Sequence, residues 1–223
     1  MDEQRAILET YFPIASLITS IVGPKCEVVI HDIFNPEQSV IYIANGHISG
    51  RKVGDGATDL VLKLLKGNLN QDKPFIANYI AEGPNGQNFR SSTYFIRNRK
   101  GELIGLMCIN IDITEMKIAE EWIQHMLYGD TSVTPLVQEE FSEEKQVTEY
   151  LQGNVEDLLR HMIKTVLGKL DVTKDRLTSQ EKQELVKALN NQGVFLLKGG
   201  VSEVANSLGI SEPTVYRYLQ KLK

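Results

Sequence analysis

Cysteine is scarce in this chain of 223 residues: Cys26 and Cys108 are the whole complement, with no C-x-x-C spacing. That excludes a disulfide scaffold and a cysteine-rich zinc site, and it fits a reducing compartment. Long hydrophobic runs are missing as well. No apolar stretch approaches the ~20 residues that cross a bilayer, so neither a transmembrane helix nor a membrane partner is expected. The amino terminus, Met1-Asp2-Glu3-Gln4, lacks the basic start of a signal peptide. No G-x-S-x-G, G-x-G-x-x-G, P-loop or H-E-x-x-H pattern occurs. His31, His47, Asp55 and Asp112 are scattered without metal-ligand spacing. Cys108 sits in an apolar run where a thiol is inert. The expectation is a chain that is not an enzyme and carries no metal or cofactor.

A basic excess is also lacking overall, since the formal net charge is −5. Dividing the chain changes the picture. Residues 1–173 carry 16 Lys and Arg against 24 Asp and Glu, whereas residues 174–223 carry 8 against 5 and are net +3. Nucleic-acid contact is therefore confined to the carboxyl end. Most of the acid falls between Glu115 and Asp157, with 11 acidic residues against Lys117 and Lys145. Within it, Gln138–Glu149 reads as a solvated linker.

The hydrophobic pattern before the linker is mixed. Ile7, Leu8, Tyr11, Ile14, Ala15, Ile18 and Ile21 recur at a helical period over residues 4–22. Pro13 must kink or divide that helix, and Gly23-Pro24 ends it. Short β-branched runs follow at Glu27–Ile33 and Ser39–Ala44, then a helix at Asp59–Lys66. Three more runs predict strands at Phe75–Ala81, Phe89–Ile96 and Leu103–Ile111, the last two joined by the polar turn Arg97–Gly101. The fold class is α+β: a five-stranded antiparallel sheet with flanking helices over 1–115, then an all-α carboxyl-terminal domain.

This first module resembles the YheO-like variety of PAS domain. The resemblance is carried by Cys26–Asp32, Asn45–Arg51, Gly54 with Thr58-Asp59-Leu60, Arg90–Thr93 and Gly105–Thr114. It implies a cytoplasmic bacterial sensor that holds a small, undefined effector between sheet and helices. Arg51 and Arg90 could clamp a carboxylate through their planar donors. Ser91, Ser92 and Asn110 could add neutral hydrogen bonds, and His31 completes the candidate ligand-binding set. His31 and Asp32 point to opposite faces of a strand. The alternative for all of these residues is to cap turns and tie loops to the sheet.

Residues 116–173 are expected to be a helical and acidic linker. Glu115–Tyr128 is a helix with an apolar side. His125 there and His161 later read as helix-surface or packing residues. Asn154 caps a further helix over 154–170, whose Val155, Leu158, Leu159, Met162, Ile163, Val166, Leu167 and Leu170 form a broad apolar stripe. That stripe must be covered, either by the rest of the chain or by a partner helix. A homodimer is the expected answer, because symmetric DNA sites need a two-fold.

Residues 174–223 carry the sharpest signal. Thr178-Ser179-Gln180-Glu181 is a capping box that opens a helix. Val201–Leu219 then has the types a helix-turn-helix demands: Ala205 small at the crossing, Gly209 at the turn, and Val204, Leu208, Ile210, Val215 and Leu219 in the wedge. With the Gly193–Gly199 stretch it resembles the helix-turn-helix that accompanies YheO-like PAS domains. The resemblance implies a cytoplasmic DNA-binding transcriptional regulator with double-stranded DNA as partner. Arg217 is the candidate for base edges, and Ser211, Thr214, Tyr216, Lys198, Lys221 and Lys223 for phosphates, with Glu212 at the margin. The rival functions are a protein–protein adaptor and a small-molecule enzyme using the region of Arg51, Arg90 and Asp112.

Overall fold

The computed structural model describes residues 2–67, 73–129, 148–151, 154–168 and 177–222. The amino-terminal helix is divided at Thr10-Tyr11 into α1 (Asp2–Glu9) and α2 (Phe12–Val22), with Pro13 in the first turn of α2. Proline is accepted there because that turn has no intrahelical partner for its missing donor. Glu3–Val22 is long and apolar enough by composition to cross a bilayer. Here it is broken, and it lays Leu8 and Ala15 against the sheet.

The sheet contains β1 (Cys26–Asp32), β2 (Val40–Ala44), β3 (Phe75–Glu82), β4 (Asn88–Arg97), β5 (Leu103–Asp112) and β6 (Thr148–Tyr150). Its order is β2-β1-β5-β4-β3-β6. Every pairing is antiparallel except β3 with β6, which is parallel. Five strands match the expectation. The sixth was missed because it lies at the end of the acidic run, where composition argued for a solvated linker. Glu149 of β6 is instead 1% exposed, and Leu151 just beyond it is also buried. Residues 130–147, the rest of that run, lie outside the described residues.

Alternation along β1 feeds two cores. Cys26, Val28 and Ile30 face α1 and α2, with Ile96, Ile104 and Met107. Glu27, Val29 and His31 face the other way, toward α3 (Asp59–Leu65). Gly105 sets the closeness of the first layer: a Cβ there would stand 2.4 Å from Leu8 Cδ2 and 2.5 Å from the His31 carbonyl oxygen. The backbone oxygen cannot yield cheaply. Gly105→Ala should therefore lose about 1–3 kcal/mol of stability, the usual range for overpacking, read as a lowered urea midpoint at unchanged slope.

After β5 come α4 (Thr114–Tyr128), α5 (Val155–Gly168), α6 (Ser179–Asn191), α7 (Gly200–Leu208) and α8 (Glu212–Gln220). Asn154 caps α5 through its side chain to Glu156 N at 2.8 Å, and the Thr178–Glu181 capping box is formed at α6. The α5 stripe corrects the expectation of a dimerisation helix over 154–170. Leu158, Leu159, Met162, Ile163 and Val166 are buried within the chain, against the inner core and the helices α6 and α7. That core is continuous from the sheet and α3 through α5 into α6, α7 and α8. Gly193 packs closely on α3: it has φ +84°, and a Cβ there would meet the Leu62 carbonyl oxygen at 2.9 Å. Nearby, Lys66 Nζ donates to Asn190 Oδ1 at 3.3 Å, and Lys198 N donates to Glu37 Oε1 at 2.8 Å.

No described residue of α4 is buried. Met116, Ile118, Trp122, Ile123, Met126, Leu127 and Tyr128 are all at least half exposed. A free apolar side thus belongs to α4 rather than to α5, and α2 also leaves Ile14, Leu17, Ile21 and Val22 exposed.

Candidate functional site

The inner face of the sheet is polar where a sheet core is usually apolar. Register explains how the residues meet. Glu27 lies opposite Asn110, Asn110 opposite Ser91, and Ser91 opposite Tyr79, which forms one rung across four strands. The next rung holds Val29, Cys108 and Thr93. Glu27, Ser91, Asn110 and His31 are fully buried, and Arg51 is 3% exposed.

Hydrogen bonds tie the rungs together. Asn110 Nδ2 donates to Glu27 Oε1 at 2.9 Å, Ser91 Oγ donates to Asn110 Oδ1 at 2.8 Å, and Ser49 Oγ donates to Glu27 Oε2. Glu149 enters from β6. Thr58 Oγ1 donates to its Oε1 at 2.5 Å, and the Tyr79 hydroxyl donates to its Oε2 at 2.7 Å. His31 Nδ1 pairs with Ser39 Oγ at 2.9 Å. Arg51 Nη2 donates to the Gly56 carbonyl at 2.8 Å. Three buried atoms, His31 Nε2 and Arg51 Nε and Nη1, have no hydrogen-bond partner among the described residues. Such atoms are rare because each forfeits its hydration.

Burial dominates the titration of this cluster. It lowers the His31 pKa well below its usual value, and the Arg51 charge lowers it further, so the imidazole is neutral. It pushes the Cys108 thiol up to about 12, with the Glu149 charge adding to the effect. A thiol held protonated in this way is inert, as expected from its apolar run. Burial also raises Glu149 to about 6, against the donors Thr58 and Tyr79 and the charge of Arg51, which favour its ionised form.

The structure places Arg51, His31, Ser91 and Asn110 of the expected ligand set on one buried side of the sheet, with His31 two rungs along β1 from Glu27 and Asn110. It does not bring in the other two. Arg90 and Ser92 alternate with Ser91 and so face the opposite side of β4, where Arg90 is exposed and Ser92 Oγ accepts from Asn78 N. The expected Arg51–Arg90 clamp is therefore corrected: the sheet stands between the two guanidiniums. Asp112 is held at the strand end by Thr114 and Lys25. The constellation imagined for an enzyme is not assembled. His47 is exposed, and Asp55 accepts from Lys52 N. Among the described residues, no group of three metal-ligating side chains converges.

Sequence reasoning missed Glu27, Ser49, Thr58, Tyr79, Thr93 and Glu149. Glu27 and Thr93 were findable, since they share strand parity with His31 and Ser91. Glu149 was hidden by its acidic neighbours.

The second candidate surface is α7–Gly209–α8. Gly209 takes φ +60° in the left-handed region, which glycine adopts without strain. Val204, Ala205, Leu208, Val215 and Tyr218 are buried in the wedge. Ser211 stands at the N-cap of α8, yet its hydroxyl pairs with Thr214 Oγ1 at 3.0 Å rather than capping the backbone. Glu212 Oε1 accepts from Ser202 Oγ at 2.5 Å and so braces α8 against α7. Tyr216, Arg217 and Lys221 are exposed, and Thr214 is half-buried. Arg217 extends over the edge of Tyr218, 5.7 Å from its ring centre. Lys198 lies before α7, exposed, on an open cleft of about 630 Å³ shared with Glu37, Leu159 and Arg160. Lys223 lies outside the described residues.

Residues 1–128 match the profile of the YheO-like PAS domain, and residues 158–220 match a helix-turn-helix domain. The chain is 30% identical over 217 residues to YheO of Escherichia coli K12, covering 97% of this chain and 85% of that one. It is 30% identical over 224 residues to a protein of Haemophilus influenzae, covering 100% and 94%. It is 31% identical over 218 residues to the transcriptional regulator DauR of Pseudomonas aeruginosa, covering 97% and 94%. Among solved structures, the phage VqmA–DPO complex aligns over 92% of this chain and 89% of its own, at 13% identity and a TM-score of 0.29.

Proposed function

The chain belongs to the YheO-like PAS family of transcriptional regulators, with a carboxyl-terminal helix-turn-helix, and from this we propose that it binds operator DNA under the control of a small effector. The observation that carries the reading is the helix-turn-helix wedge, which buries one side of α8 and leaves Arg217 and Lys221 exposed in the net-positive end of the chain. A major groove admits such a helix. Arg217 reads base edges. Ser211, Thr214, Tyr216, Lys198 and Lys221 hold phosphates, with Glu212 beside them. The DNA partner puts the site of action in the cytoplasm, and regulation rather than turnover is the task.

The effector binds at the buried polar face that holds Arg51, His31, Ser91 and Asn110. The signal leaves through β6. That strand inserts Glu149 among the polar groups, and α5 begins a few residues later and packs on α6 and α7. An effector that favours one placement of β6 shifts the placement of α5 and of the DNA-binding helices. It must bind the two arrangements unequally, since equal affinity shifts nothing.

A second copy covers α4. A surface helix with this much exposed apolar area marks an interface. The pairing also supplies the two-fold that helix-turn-helix proteins use. Selection of duplexes from a random pool by the full chain tests the reading. The expected product is an inverted repeat with half-sites about one helical turn, 34–36 Å, apart. Affinity should fall linearly in log salt as counterions are released. A pool with no enrichment would overturn the DNA reading and favour the adaptor.

A further inference from the structure

The geometry points to a small zwitterion as the effector, its oxyanion on Arg51 and its cationic nitrogen on the Glu27 and Glu149 carboxylates. This rests on the effector-sensing reading above and adds the chemical class.

Arg51 is 3% exposed, and two of its three guanidinium nitrogens have no hydrogen-bond partner among the described residues. A buried guanidinium is always charged and offers only donors. It therefore calls for acceptor oxygens, and an oxyanion is the acceptor that also answers its charge. His31 Nε2 is likewise unmatched, on a neutral ring whose protonation Arg51 opposes. It can donate to the same oxyanion.

Two buried acids share this face with Arg51: Glu149, which feels the Arg51 charge, and Glu27, linked to the Arg51 backbone through Ser49; a third, Asp59, is already paired with Lys63 at 2.6 Å. The balance of two carboxyls against one guanidinium disfavours a simple anion, which would add to the acidic excess. A simple cation would leave the Arg51 donors unmatched. A molecule with both ends satisfies both conditions. Each carboxylate already accepts a hydrogen bond at each oxygen, from Ser49 and Asn110 for Glu27 and from Thr58 and Tyr79 for Glu149. Each oxygen keeps a second lone pair for an ammonium group.

Isothermal titration of the full chain with matched triples of probes tests the class. β-Alanine, propionate and propylamine form one triple, and other amino acids with their matched acids and amines form the rest. The expected result is saturable binding of an amino acid and none by its two halves, with at least tenfold weaker binding in a folded Arg51→Gln chain. If Arg51→Gln does not fold, Glu27→Gln serves instead and should weaken the same amino acid at least tenfold. Binding by the acid alone, by the amine alone or by no probe overturns the zwitterion. Mass spectrometry of small molecules released from the purified full chain separates the two readings. A released molecule lacking either charge sinks the class and leaves sensing intact, while one carrying both charges supports the class.

Discussion

Arg217→Ala should erase the preference of the protein for its selected duplex over a scrambled one, by about 1–3 kcal/mol, the worth of a bidentate arginine–guanine pair. Its fold should be unaffected. The side chain is exposed, and its one described contact is the ring edge of Tyr218. The other side of α8, with Val215 and Tyr218 buried, holds the helix in place without it. Competition binding at two salt concentrations separates this from a backbone contact. Lys221→Ala should lower affinity for every duplex alike and reduce the salt slope by about one. If Arg217→Ala behaves like Lys221→Ala, the base-edge role belongs to another residue.

Glu149→Gln should change how stability depends on pH. A carboxyl that moves from 4.5 to about 6 on folding holds a proton more tightly in the folded chain. Above about pH 6 its ionised form costs the fold about 2 kcal/mol relative to acid conditions. That cost is relieved as pH falls from about 6 toward 4.5. Glutamine cannot ionise, so the variant lacks this dependence. Wild-type stability minus variant stability should therefore rise by about 2 kcal/mol as pH falls through that window. His31 works in the opposite direction, because its lowered pKa removes stability as pH drops below 6.5. It is present in both chains and cancels in the difference. Urea unfolding from pH 4.5 to 7.5 provides the measurement, and a flat difference would contradict a buried, ionisable Glu149.

The sequence made the sheet legible because β-branched runs and a polar hairpin turn are local signals. The helix-turn-helix was legible for a related reason: its small, glycine and apolar positions are fixed by one close crossing. The buried polar face was only half legible. His31, Ser91 and Asn110 stood out as polar residues in strands, but Arg90 and Ser92 were included against the parity of their own strand. Glu27 was overlooked although it shares a face with His31. Nothing local marks Glu149, whose burial depends on β6 reaching β3 across some 65 residues of chain. The α5 stripe was read correctly as needing cover. What covers it is a tertiary fact, and periodicity does not say whether the neighbour belongs to the same chain.

The continuous core has a consequence for the order of assembly. Synthesis runs from the amino end, and the five antiparallel strands are complete at Asp112. At that moment the rungs of Glu27, Asn110 and Ser91 still lack Glu149, and Leu62 has no Gly193 against it. The residues that cover the first-made part of the molecule are thus all made after it. A nascent chain therefore holds that polar face without Glu149 until β6 is made, and Leu62 is covered only by the same stretch of chain that forms the helix-turn-helix domain.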